Sequence, residues 1–249
     1  KTLQTLDKYL ISEKAYFKEV SAETMLFMVA GPNAAAVVER LTGEPPLSTP
    51  WAHAERKAGD VAIRVVTGGG ETGESEAWLY APASAGEQIW RATIEAGKPA
   101  GLRPVGVTAL DVLRVEAGVP WYGHDVDETV LLPEIPLEPY VSYTKGCYIG
   151  QEIVARIKYR GHVNRALTGL TFDGDRAPKP GSVIEVEGRE VGRVTSAVRS
   201  FALNRPIALG FVRREHLEPG TAVTVKDNDL TFAARITALP FYRRGSTRP

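Results

Sequence analysis

Within eight residues, the run Lys145-Gly-Cys-Tyr-Ile-Gly-Gln-Glu152 sets out a cation, a thiol, an amide and a carboxylate. Cys147 is the only cysteine in the chain. Gly146 and Gly150 permit tight turns and close approach of the backbone to a ligand. The spacing predicts a short helix from about Ile149 to Ala155 that runs into a strand. Cys147 then lies at a helix N-terminus, with Lys145 two residues before it, and both features favour thiolate and reactivity. The competing reading is a buried, inert cysteine, since free cysteine is among the most buried residue types. No His/Asp pair in the local sequence gives a protease-like arrangement.

Directly after this run come Arg156, Lys158, Arg160, His162 and Arg165, with no acid between them. On a strand, the first four project from one side. That is a solvated sheet face, or else a place for an anionic ligand tail or a local stretch of RNA. A second cluster runs from Leu113 to Asp125. Thr108-Ala-Leu-Asp111 reads as a capping box opening a helix with Leu110, Leu113 and Ala117 on one face, stopped by Gly118. Glu116 falls in its last turn, where the helix dipole disfavours an anion. The plain reading is a solvated glutamate balanced by Arg114. The sharper one is a carboxylate kept for a ligand that presents adjacent N–H donors. Trp121-Tyr-Gly-His-Asp125 then forms either a stacking pocket or simply a turn.

The chain's bulk properties limit the function classes open to these groups. Its 249 residues favour two domains or lobes. Thirty basic and thirty acidic residues leave no global field to draw in nucleic acid, so strong general nucleic-acid binding is not expected. A single cysteine fits a reducing, cytoplasmic compartment. No apolar run approaches the roughly 20 residues that cross a bilayer, so no membrane role is expected. One cysteine and four scattered histidines make neither a closed zinc site nor an iron–sulfur site.

The elements that must position these groups read as α+β. An amphipathic helix is expected at Leu3, Leu6 and Leu10, then strands at Phe17–Val20 and Thr24–Ala30. A helix follows from about Ala34 to Leu41. Trp51–Lys57 and Val61–Val66 form a hairpin about Gly59-Asp60. The glycine-rich loop at Thr67–Ser75 lacks phosphate-loop spacing and reads as a hairpin tip. Glu76–Ala81 is a strand, and Ser84-Ala-Gly-Glu87 a capping box for a helix ending near Gly97. From Val163 onward six short β-branched or apolar runs, mostly set apart by glycine or proline, read as a small barrel or sandwich. The boundary is placed near residue 165, separating a region 1–165 from a barrel at 166–249.

The octapeptide, with Val154-Ala-Arg156 and Arg160-Gly161, resembles the signature of the YgfZ-type folate-binding proteins, relatives of the glycine-cleavage T-protein (aminomethyltransferase). Leu113-Arg-Val-Glu-Ala-Gly118 through Asp125 resembles the superfamily's LR-x-EAG segment. Val191–Ala197 and Ile207–Val212 resemble its C-terminal barrel. The resemblance implies a T-protein-like folate-binding fold, with ferredoxin-like α+β lobes and a C-terminal β-barrel around a tetrahydrofolate site. It implies that Glu116 binds the pterin, with Tyr122 as a pocket wall and Gln151, Arg156 and Arg160 completing the cofactor-binding set, the basic residues towards the folate tail. Cys147 and Lys145 are the implied reactive pair. The implied role is that of a monomeric accessory protein to iron–sulfur clients or assembly proteins, and thereby to tRNA modification. The alternative is a folate-dependent aminomethyl- or methyltransferase. Family members carry a further N-terminal segment, so part of the first domain is expected to be missing before Lys1.

Overall fold

The computed structural model describes residues 2–11, 14–136 and 140–243. They form two compact units, one made of residues 1–69 and 75–104, the other of 70–74 and 105–249. The barrel that the sequence places after residue 165 begins at Arg165 and lies inside the second unit.

The first unit opens with α1 (Thr2–Lys8), which buries no residue. Its core is a four-stranded antiparallel sheet of β1 (Thr24–Ala30), β2 (His53–Ala58), β3 (Val61–Thr67) and β4 (Glu76–Pro82), in the order β1-β4-β3-β2. Alternation puts Ile63 and Val65 of β3 on the same face as Leu79 and Ala81 of β4, with Val65 directly opposite Leu79. Against that face pack Val37 and Val38 of α2 (Ala34–Thr42) and Ile89 of α3 (Gly86–Gly97). Gly43 ends α2 in the left-handed conformation at φ 72°, as glycine allows.

Two local readings of this unit fail. Phe17–Val20 is not a strand, because it finds no pairing edge, and Phe17 and Val20 remain exposed. Ser84 does not cap α3. A 3₁₀ turn over Ala83–Ala85 leads into the helix, and Ala85 takes the cap position without a side-chain bond.

In the second unit, α4 (Val107–Glu116) and α5 (Gln151–Arg160) precede six strands. These are β5 (Arg165–Phe172), β6 (Val183–Val186), β7 (Arg189–Ser200), β8 (Arg205–Arg213), β9 (Ala222–Asp227) and β10 (Leu230–Thr237). They close into an antiparallel barrel in the order β10-β5-β8-β7-β6-β9. Closure leaves no unpaired edge. Leu170, Phe172, Ile184, Val194, Val225 and Ile236 fill the interior. A second apolar cluster joins Val115 of α4 to Leu167, Ile207, Leu209 and Phe211, and so seats the end of α4 against β5 and β8. Thr108 is already within α4, whose cap is Gly106, so the expected capping box is not formed here either. Among the described residues no helix is long and apolar enough to cross a membrane.

Strands β7 and β8 approach so closely that a Cβ on Gly192 would lie 2.0 Å from the Phe211 carbonyl oxygen. Backbone cannot yield as a side-chain tip does. Gly192→Ala is therefore expected to cost about 1–3 kcal/mol or more by overpacking, read as a lower urea midpoint with an unchanged m-value.

Candidate functional site

The last turn of α4 places three consecutive residues, Arg114, Val115 and Glu116, out of solvent. Burial on this many sides is unusual for a helix with one apolar stripe. It arises because the turn is enclosed by β7 and by the loop that follows the helix. Arg114 donates from Nε to Asp111 at 2.8 Å, from Nη2 to Ser196 Oγ at 2.7 Å, and from Nη1 to the buried Asp125 carboxylate. Its guanidinium also lies 5.1 Å from the Trp121 ring centroid. Asp125 further accepts from the Trp121 N–H at 3.0 Å and the Thr195 hydroxyl at 2.5 Å. Such saturation is what a buried ion pair requires, since each ion gives up several kcal/mol of hydration.

Two residues along the helix, Glu116 is 3% exposed. Its Oε1 accepts from the Ser200 hydroxyl at 2.6 Å and from the Ala202 N–H at 3.1 Å. These donors offset the unfavourable helix C-terminus. The solvated glutamate balanced by Arg114 is thus not what forms. Arg114 belongs to Asp125 and Asp111, and Glu116 to the end of β7. Two serines of that strand, Ser196 and Ser200, hold the two charged side chains of the helix. An oxygen of this kind accepts two bonds. Oε1 is therefore filled, and Oε2 is left without a bond among the described residues.

The loop Trp121–Val126 folds back on itself, with Gly123 N–H donating to Val126 C=O at 2.8 Å. Tyr122 stands on it 68% exposed. Asp127, just beyond, accepts from the Thr129 hydroxyl and N–H, which hold its carboxyl below the ordinary carboxylate range.

The Cys147 region differs from its sequence reading in three respects. First, α5 is helical from Gln151 to Arg160 and does not pass into a strand. Ile153, Ala155, Ile157 and Tyr159 alternate as a strand would, but Val154 is the buried residue, on a helix that lies beside the Leu132–Glu134 turn and shares a small apolar cavity with it. Helical spacing won because the apolar surface of that turn was there to be covered. Second, Arg156, Lys158 and Arg160 consequently share no sheet face. Arg156 pairs with Glu152 at 2.9 Å, and Lys158 lies 3.2 Å from the Tyr143 ring centroid. Third, Cys147 precedes the first helical residue by four positions. It lies in irregular backbone just ahead of the turn at Ile149 and Gly150, whose φ of 86° opens the helix. Cys147 is exposed, which removes the buried, inert reading. Lys145 reaches 5.1 Å from the Tyr148 ring centroid, and Gln151 Oε1 accepts from the Tyr148 N–H at 3.1 Å. Among the described residues no group of three or more His, Cys, Asp or Glu side chains could hold a metal ion.

The residues that sequence reasoning missed are Ser196, Ser200 and Thr195. Their signal was faint: hydroxyls on a β-branched strand read as ordinary sheet positions. Arg114→Met would leave the Asp125 carboxylate buried and uncompensated. It is expected to lower unfolding free energy by about 3–5 kcal/mol. Adding Asp125→Asn should recover part of that loss in urea unfolding, because the orphaned charge goes too.

Comparison with known proteins gives one answer. Residues 1–145 match the GCVT N-terminal domain and residues 165–243 the glycine cleavage T-protein C-terminal barrel domain. An aminomethyltransferase of Saccharopolyspora erythraea is 34% identical over 236 residues, covering 94% of this chain and 64% of that protein. One of Halalkalibacterium halodurans is 31% identical over 247 residues, covering 99% and 67%. The glycine cleavage system aminomethyltransferase T of Bartonella henselae shares the fold, at TM-score 0.75 and 23% identity over 89% of this chain and 60% of that one. The chain thus spans about two thirds of the length of these relatives. It belongs to the glycine-cleavage T-protein family.

Proposed function

We propose that this chain binds tetrahydrofolate, with the Glu116 carboxylate taking the N–H donors of the pterin ring. The observation that supports this most directly is the state of that carboxylate. It is buried at a helix C-terminus, fixed through Oε1 by Ser200 and Ala202, and unbonded at Oε2 among the described residues. Keeping a carboxylate in such a place costs free energy that packing alone does not require. The pterin presents a ring N–H beside an exocyclic amine. With Oε1 filled, the pair meets Oε2, or one donor replaces the Ser200 hydroxyl. Tyr122, exposed on the loop after α4, is the proposed pocket wall. Gln151, Arg156 and Arg160 on α5 are proposed for the rest of the folate.

Of the roles such binding serves, the relatives' names favour aminomethyl transfer. In that reaction the methylene carbon of an aminomethylated thiol bonds to two nitrogens of tetrahydrofolate, and ammonia and the free thiol leave. A second reading rests on a different observation. Cys147 is exposed in the run Lys145–Glu152, whose pattern resembles the YgfZ type. On that reading the thiol serves accessory chemistry for iron–sulfur clients, with folate as the bound cofactor.

Calorimetric titration with tetrahydrofolate tests the shared claim. Glu116→Gln is expected to weaken binding about 10- to 100-fold, the loss of a charge-assisted hydrogen bond. Ser200→Ala should weaken it less, and Cys147→Ser should leave it unchanged. Equal affinity in Glu116→Gln would take the pterin away from Glu116. The two roles separate in an assay for methylenetetrahydrofolate formed from an aminomethylated thiol. Product from both the wild type and Cys147→Ser supports transfer; none from a wild type that binds folate supports the accessory role.

A further inference from the structure

A cleft of about 650 Å³ opens on the outer face of the barrel, bounded by Gly123–Val130, β7 around Arg193, and the ends of β5 and β8. Neither Glu116 nor Cys147 lines it. In the antiparallel register of β5 and β8, Arg165 stands directly opposite Arg213. Arg193 on β7 stands opposite Phe211, two residues before Arg213. Three arginines on three neighbouring strands therefore line one cleft.

Like charges directly opposed across a strand pair destabilise it. The surrounding acids answer the charge only in part. Glu134 accepts from Arg165 Nε and pairs with its Nη2, each at 3.3 Å, and Glu190 pairs with Arg193 at 2.9 Å. Asp125 is spent on the buried Arg114, while Asp127 accepts from Thr129 and only adds a weaker attraction to Arg165. The exposed Arg213 side chain has no ion pair or hydrogen bond among the described residues. Arg165 is also stacked 4.8 Å from the Phe211 ring centroid, which holds its fork at the cleft. Val126, Val130 and Val191 add apolar wall.

We propose that this cleft is a second ligand site, taking a small molecule whose carboxylate or phosphate bridges Arg213 and Arg165. An oxyanion accepts from the Arg213 fork and from Arg165 Nη1, the edge that Glu134 leaves open, and converts the repulsion between the two guanidinium groups into a shared attraction. The valines and Phe211 meet the carbon skeleton. This site does not depend on the folate reading of Glu116.

The test uses the whole chain, with inorganic phosphate and glutarate as separate probes at ionic strength held constant with sodium chloride. Saturable binding of at least one probe is expected by calorimetry, together with a rise in Tm. Arg213→Gln should weaken that binding at least about tenfold, and Arg213→Lys should restore part of it. Without any probe, Arg213→Gln should raise Tm by about 1–3 °C, since it removes one of two opposed charges. Phosphate alone binding would mark a phosphoryl ligand, and glutarate alone a carboxylate. Absence of saturable binding by either probe, or equal affinity in wild type and Arg213→Gln, would overturn the site. A fall in Tm for the probe-free variant would overturn the repulsion on which it rests.

Discussion

The neutralisation of one buried guanidinium organises the second unit. Arg114 is fully buried, and an unpaired arginine there would cost several kcal/mol, a large share of a protein's usual margin of stability. Asp125 removes that cost only if the loop after α4 turns back at Gly123, and Ser196 helps only if β7 runs beside the helix. One charge thus specifies where a helix, a loop and a strand meet. Glu116 inherits its position from that meeting. It follows Arg114 by two residues, as Ser200 follows Ser196 by four, so seating the first pair brings the second together.

What results is a carboxylate placed against its local electrostatics. The helix dipole opposes it, burial opposes it, and two donors on one oxygen restore the balance while leaving the other oxygen unbonded. A purely structural glutamate gains little from such an arrangement, because an apolar residue of similar volume would fill the space at less cost. The local chemistry therefore supports the proposed ligand with N–H donors. The exposed thiol of Cys147 and the arginines of the barrel cleft are separate chemical resources on the same unit.

Local pattern carried much of the architecture. A buried apolar run marked β1, the turn at Gly59-Asp60 marked the β2–β3 hairpin, and the six barrel strands fell on short β-branched or apolar runs, most of them set apart by glycine or proline. Those signals persist because turn residues and apolar runs are local features, legible whatever their partners are. Helix starts were less legible. Ser84 and Thr108 offered plausible caps, yet a 3₁₀ turn and a glycine took those positions, as tertiary constraints on chain entry override a bond of about 1 kcal/mol. For α5, two periodicities fitted nearly the same residues. Only the apolar surface at Leu132–Ile135 decided between them, by burying Val154.

From the sequence alone came the α+β class, the barrel, the family resemblance and the oddity of an acid at the end of α4. Those depend on spacing along the chain and on residue type, which need no partner to be read. The tertiary structure alone decided that Arg114 serves Asp125 and not Glu116, that Ser196 and Ser200 hold the two charges, and that Cys147 is exposed. It also set Arg165 opposite Arg213. Each of these joins residues far apart in sequence, or depends on which face of an element meets another, and local pattern carries no information about either.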